Sequence, residues 1–351
     1  MRIPWRIGEK GSRSTVIVII LALVVITVTL GAIIMTTTQK PSITFNGGQW
    51  DSIRFNNALA GYIFKHGYGY PVVVRDSTEF TMEEDLATGK TDVEMEVWSQ
   101  NKADWYKEQI ARGTIIDLGP VFDSGPQYYI IPAWMAEQYQ IETIYDMKNY
   151  SYLMQDPKDP TKGLFINNPK SWTSYRINEV KLEAYGLSRY YNAVTPQSDK
   201  AFEAVYINAQ ENHQPVFGYY WSPTALMGSY DWYILKEPPY TDACWNEVTA
   251  AVNNPGLRPL ANACAYPDIP VTTAVSKQMP AKAPDVVEML MKMEVGIDPM
   301  NHELAWARKN NVTDWDLVAI HYLRNNEDHW KTWVTPTAYA GIKQALENIP
   351  P

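Results

Sequence analysis

The chain has 351 residues, 46% hydrophobic and 20% charged, which excludes wholesale disorder and suffices for one large domain or two modest ones. Two cysteines exclude a disulfide-dense miniature scaffold and a four-cysteine zinc site. Net charge is −9, and residues 41–351 carry 25 basic against 38 acidic side chains, which argues against a nucleic-acid partner held through phosphates.

The first feature along the chain is residues 16–35, VIVIILALVVITVTLGAIIM, 20 residues without a charge. At about 1.5 Å per residue this run matches a hydrocarbon core of about 30 Å. Arg2, Arg6, Lys10 and Arg13 precede it and no basic cluster follows, so the positive-inside rule predicts a cytoplasmic N-terminus. The run ends GAIIMTTTQK, with no small-x-small cleavage site, which favours an uncleaved single-pass anchor over a signal peptide. Either reading places residues 41–351 outside the cytoplasm, at the cell membrane if the anchor is kept. In that oxidising compartment Cys244 and Cys264 are expected to pair, the alternative being two buried thiols.

Beyond the anchor, a strand is predicted at 43–45 and a turn at Asn46-Gly47-Gly48-Gln49. A helix follows over 52–66, with Ile53, Phe55, Leu59, Tyr62 and Ile63 on one face and Gly67 as its stop. A strand at 71–74, a helix at 81–87 stopped by Gly89, and a strand at 92–97 delivering Trp98 complete a β-α-β-α-β rhythm. That rhythm predicts a parallel sheet covered by helices. A second rhythm runs over about 128–240: strand 128–132, helix 134–138, strand 164–166, helix 174–185, helix 199–212 and strand 216–220 delivering Trp221. A strand at 271–275 leads to four helices, at 285–295, 301–310, 314–326 and 336–348. Two α/β lobes with the chain crossing between them put a ligand in the cleft, beyond the carboxyl ends of the strands.

The chain is rich in aromatics, with 13 Trp and 23 Tyr. A tryptophan taken alone is usually a packing residue, and Trp105, Trp134, Trp232, Trp245, Trp306, Trp315, Trp330 and Trp333 are read that way. Trp98, Trp172 and Trp221 differ, because each ends a strand or enters the turn after one. Three indoles converging in a cleft make a box for a quaternary ammonium, each contact worth about 0.5–2 kcal/mol. The Asn46–Trp50 turn faces the same cleft. Gly48 allows close backbone approach and Trp50 offers a further ring, both as secondary contacts; the turn lacks the Lys-Ser/Thr pair of a P-loop.

Four stretches resemble the substrate-binding component of glycine betaine/proline betaine ABC transporters: LATGKTDVEMEVW at 86–98, YYIIPAWMAEQYQIETIYDMKN at 128–149, KSWTS at 170–174 and QPVFGYYWSP at 214–223. The resemblance implies an α/β, two-lobed type II periplasmic-binding-protein fold behind an N-terminal transmembrane helix. Residues 1–41 would be cytoplasmic stub, anchor and spacer, 42–127 the first segment of lobe 1, 128–268 lobe 2, and 269–351 the return segment of lobe 1. It implies a cage of Trp98, Trp172 and Trp221 around a trimethylammonium head, and backbone N–H groups of Thr173 and Ser174 holding a carboxylate. Lys102 stands where some members have His; it would either replace His as a cationic partner or simply be solvated. The short disulfide that some members carry beside the second cage Trp is absent. No cofactor and no catalysis are implied; the partners are a quaternary ammonium ligand, a permease with its ATPase, and the membrane. The sequence leaves glycine betaine, choline, carnitine, proline betaine and dimethylsulfoniopropionate open; with choline the carboxylate site would be idle.

An extracytoplasmic enzyme is the rival class. Ser99-Gln-Asn-Lys102 fits S-x-x-K, but K-T-G and S-D-N are missing, as are G-x-S-x-G and H-E-x-x-H. Of the five histidines only His321 and His329 approach a ligand-like spacing. Asp92, Glu94 and Glu96 alternate along one strand face, read as solvated or lobe-bridging in preference to a glycosidase pair.

Overall fold

The computed structural model describes residues 40–349, so the expected anchor at 16–35 lies outside the described residues. Among the described residues no helix is long and apolar enough to cross a membrane. The body that begins at Ser42 is built on two sheets.

The chain starts with β1 (Ile43–Gly47) and α1 (Asp51–Ile63), whose Ile53, Phe55, Leu59 and Ile63 are fully buried. The helix does not stop at Gly67. A π turn, Phe64–Tyr68, extends it, and Gly69 at φ 74° ends it. Gly67 is instead a close approach, since a Cβ there would lie 3.1 Å from both Ala338 and Ile342. β2 (Val72–Asp76) and α2 (Glu79–Thr88) follow. Thr78 caps α2 through Thr81 N–H, and Gly89 at φ 75° closes it. β3 (Val93–Val97) leads through a short turn into α3 (Ala103–Arg112) and β4 (Ile115–Phe122). Periodicity gave no sign of these last two. α3 buries only Tyr106 and Gln109, and β4 carries Gly119-Pro120, around which its pairing with β11 shifts register.

The second sheet draws on β5 (Gln127–Pro132), then α4 (Ala133–Tyr139), β6 (Gln155–Asp156), β7 (Asp159–Ile166), α5 (Thr173–Ala184) and β8 (Tyr191–Val194). α6 (Asp199–Glu211), β9 (Gly218–Trp221), α7 (Ala225–Ser229), β10 (Trp232–Ile234) and α8 (Asp242–Asn253) complete it. A disulfide joins Cys244 of α8 to Cys264, with Cα atoms 6.4 Å apart. The chain then returns as β11 (Val271–Ser276) to the first sheet. It closes with α9 (Met279–Lys282), α10 (Pro284–Leu290), α11 (Ile297–Lys309), α12 (Trp315–Asn325), α13 (Glu327–Trp330) and α14 (Pro336–Glu347). α10 is shorter than expected because the chain after it turns back to the sheet, where Val295 N–H bonds the Val121 carbonyl at 3.1 Å.

The first sheet is not purely parallel. Its order is β2-β1-β3-β11-β4, with β11 antiparallel to both neighbours because it arrives from the other sheet. The second is mixed as well: β7 pairs parallel with β8 and β9, while β5 runs antiparallel to β9 and β10. The two connections between sheets lie side by side. Ser124 Oγ donates to Asp268 Oδ1, and a Cβ on Gly125 would sit 2.6 Å from Val271 Cγ2.

α5 is fixed by polar groups with no solvent exposure. Asn178 donates to the side-chain oxygens of Asn167 and Asn168, both at 2.9 Å, and accepts from the Tyr129 and Tyr266 hydroxyls. One turn on, the fully buried Lys181 ammonium lies 2.8 Å from Glu237, and 4.9 and 4.1 Å from the Tyr129 and Tyr266 ring centroids. The helix is thus tied to β5, to the loop ahead of Trp172 and to the returning chain. Removing one member of such a pair strands the other charge, so Lys181→Met should lower unfolding free energy by about 3–5 kcal/mol. Adding Glu237→Gln, which still accepts from Tyr185 OH, should recover most of that loss in urea denaturation.

Candidate functional site

Trp50 is the residue before α1, Trp98 follows β3, Trp172 precedes α5 and Trp221 ends β9. Together with Asn101, Gln127, Ser174 and Tyr219 they line one cavity enclosing about 360 Å³, part of it open to solvent. Trp172 meets Trp221 edge to face at 4.9 Å between centroids, and Trp50 meets Trp172 in the same way at 6.5 Å. Phe202 of α6 backs two of the rings, parallel to Trp221 at 6.2 Å and edge-on to Trp172 at 6.3 Å. Packing against further aromatics leaves these indoles few rotamers.

The wall between Trp98 and Trp172 is polar but uncharged. Tyr219 OH donates to Gln127 Oε1 at 2.7 Å, and Gln127 Nε2 donates to Asn101 Oδ1 at 3.1 Å. Ser174, in the first turn of α5, completes the lining and places a hydroxyl near the helix N-terminus. Among the described residues, no Lys, Arg or His lines the cavity.

Of the residues singled out in the sequence, Trp98, Trp172, Trp221, Trp50 and Ser174 share the cavity wall, whereas Thr173, Lys102 and Gly48 are not among its lining residues. Lys102 turns towards α2, its ammonium 3.2 Å from Glu83 and its side chain almost fully buried. Gly48 serves packing: a Cβ there would lie 2.6 Å from Ile53 Cγ2 and 3.0 Å from Trp50 Cζ3. His321 and His329 form no metal pair; His321 bonds Glu303 and stacks on Trp306, while His329 bonds Tyr322.

The acidic face of β3 is a correction. Asp92, Glu94 and Glu96 are all buried, neither solvated nor bridging. Asp92 pairs with Lys282 at 2.6 Å, and Glu94 accepts from Asn46. Glu96 lies directly behind the cavity. Its Oε2 accepts from the indole N–H groups of Trp50 at 2.6 Å and Trp98 at 3.2 Å, and from Ser52 Oγ; its Oε1 accepts from Asn56. Burial pushes its carboxyl up from 4.5 to about 7, against the opposing pull of these four donors. Glu96, Asn101, Gln127 and Tyr219 were missed in the sequence. Period-2 alternation does put Glu96 on the same strand face as Glu94, but it cannot say which face is dry.

Two outcomes follow from this geometry. Folded Glu96 holds its proton more tightly than the unfolded chain does, so its stabilising contribution is complete below pH 4.5 and fades as pH rises to about 7. The loss is on the order of 3 kcal/mol, and chemical denaturation against pH should show Glu96→Gln lacking that slope. Gly48→Ala should cost about 1–3 kcal/mol by overpacking and shift the tryptophan fluorescence, because Trp50 must give way.

The family model for the substrate-binding domain of ABC-type glycine betaine transport systems matches residues 41–325. Among solved structures, the glycine betaine/L-proline-binding protein ProX of Borrelia burgdorferi is similar at 17% identity and TM-score 0.66, over 86% of this chain and 99% of that one. Lactococcal OpuAC, closed around glycine betaine, is 15% identical with TM-score 0.65, over 84% and 100% of the two chains. A choline-binding protein of an ABC transporter, in complex with choline, is 15% identical with TM-score 0.65, over 87% and 98%. At such identities the structural likeness is one of fold, the α/β two-lobed periplasmic-binding-protein fold. The family match spans most of the chain, which therefore belongs to the substrate-binding proteins of ABC-type glycine betaine transport systems.

Proposed function

We propose that this protein captures glycine betaine or a close quaternary ammonium relative for an ABC importer, caging the methylated nitrogen between Trp98, Trp172 and Trp221 with Trp50 as a fourth wall. The observation that carries the reading is that four indoles from four separate stretches of chain line one cavity that, among the described residues, has no lysine, arginine or histidine in its wall. A quaternary ammonium has no N–H to satisfy and is cheap to desolvate, so aromatic faces alone suffice to hold it. Ser174 and the first turn of α5 would take a carboxylate, since a helix N-terminus offers unpaired N–H groups and the positive end of its dipole. Residues 16–35 would tether the receptor to the membrane with its body outside. There it would deliver ligand to a permease whose ATPase is a separate chain, and no catalytic step is assigned to it.

Choline is the second reading, and a specific observation favours it. The polar wall Asn101–Gln127–Tyr219 is neutral and Lys102 is engaged with Glu83, so a hydroxyl fits that wall without a cationic partner. Calorimetric titration of the full chain with glycine betaine, choline and carnitine separates the two. Trp172→Ala should weaken the best ligand at least tenfold while leaving the fold intact, given about 2 kcal/mol for a desolvated cation–π contact. Tight choline with weak glycine betaine would discard the carboxylate site, and no heat with any quaternary amine would sink the cage.

A further inference from the structure

Glu96 touches the cavity only through the residues that line it. Its Oε2 takes both the Trp50 and the Trp98 indole N–H, so one carboxylate sets the angle of two of the four rings. Ser52 and Asn56 occupy its remaining acceptor positions, and only 1% of the residue is exposed. All four partners are neutral, so the charge of an ionised Glu96 has no counter-ion among them.

We propose that Glu96 is the positioning and specificity residue of this cavity, holding Trp50 and Trp98 in place and, as an anion behind them, favouring a cation over its neutral isostere. The inference rests on the quaternary-ammonium reading above and deepens it. An indole that donates its N–H to a carboxylate carries more negative charge on its ring face, and a buried anion attracts a desolvated cation through a low dielectric. A bound ammonium would therefore supply the counter-ion that none of these four partners provides.

Most other titratable groups on elements packed around β3 have partners of their own, the exception on α1 being the buried Tyr62 hydroxyl, which has no hydrogen-bond partner. On α1, Asp51 lies 3.7 Å from Arg54; on α2, Glu83 pairs with Lys102, and Asp85 with Arg75 and Lys90. On β3 itself, Asp92 pairs with Lys282 and Glu94 accepts from Asn46. β1 and β11 contain no Asp, Glu, His, Lys, Arg, Tyr or Cys. Burial, with no nearby negative charge needed, raises the Glu96 carboxyl to about 7. Cation binding should accordingly release a proton.

Glu96→Gln is a mild replacement, because its carbonyl can keep the two indole bonds. Asn56 can then turn its Oδ1, which has no hydrogen-bond partner, towards the new NH₂ group. The test titrates the full chain calorimetrically at pH 6 and pH 8, in buffers of different ionisation enthalpy. The ligands are glycine betaine, choline and their carbon isosteres 3,3-dimethylbutanoate and 3,3-dimethylbutan-1-ol. In the wild type, cation affinity should rise about tenfold from pH 6 to pH 8, as the ionised fraction of a group near 7 rises. Protons should be released on binding, while the neutral 3,3-dimethylbutan-1-ol shows neither effect and the anionic 3,3-dimethylbutanoate gains no affinity with pH. Glu96→Gln should lose the pH dependence and about tenfold in cation affinity at pH 8, yet bind 3,3-dimethylbutan-1-ol as before.

Equal loss of cations and isosteres would overturn the proposal, leaving Glu96 a purely structural residue. Unchanged cation affinity and pH profile in Glu96→Gln would overturn it as well. Should the variant fail to fold, wild-type proton release decides alone, and its absence refutes the inference. A wild type that binds no quaternary amine at either pH would instead bring down the cage reading, and this proposal with it.

Discussion

A carboxylate with almost no exposed surface and no cation beside it stands only where donors surround it. Glu96 is such a group, and much of the cavity's shape follows from satisfying it. Its donors come from the turn before α1, from α1 itself and from the residue that follows β3. The constraint explains why an acidic residue sits at the end of a buried strand, and why two tryptophans far apart in sequence point into one space. It also explains the glycine at position 48, where a side chain would push Trp50 away from its acceptor.

The protein uses aromatic faces for a cation of its own elsewhere. Lys181 lies against Tyr129 and Tyr266, with Glu237 as counter-ion, deep under the second sheet. The two arrangements share a helix. The N-terminal turn of α5 forms part of the cavity wall, while Lys181, two turns on, ties the helix to β5 and the returning chain. An internal ion pair of this kind contributes little net stability, but its cost when broken is high. Its value lies in fixing where α5 begins, and so where Trp172 and Ser174 stand.

The sequence shows the elements with strong periodicity and clear stops. The apolar face of α1, the glycine after α2 and the strand ends that deliver Trp98 and Trp221 are all legible, because each depends on local chemistry. α3 and β4 are not, since one is mostly solvated and the other carries a Gly-Pro pair that breaks its sequence pattern. The antiparallel insertion of β11 is invisible too, because strand direction is set by where the chain returns from. The polar lining shows the same limit. Gln127 opens an apolar strand and Asn101 sits in a short turn, and nothing local says that Tyr219 links them. Lys102 illustrates the converse: its spacing from Trp98 suggests a ligand, yet Glu83 one helix away claims its charge.

The cavity's polar groups also bear on which amines it can accept. A primary ammonium carries three N–H donors and needs three acceptors once it leaves water. The side-chain carbonyl oxygens on the wall each already accept one hydrogen bond, Gln127 Oε1 from Tyr219 and Asn101 Oδ1 from Gln127, which leaves at most one further lone pair on each. The Glu96 oxygens lie behind the indoles that they hold. Each N–H left without a partner would cost about 1–3 kcal/mol, whereas a methyl group in the same place meets only ring faces and gains dispersion contact. On the proposed reading the neutral wall would thus work against unmethylated amines, so that methylation of the nitrogen would discriminate among cations while Glu96 discriminates cations from neutral molecules.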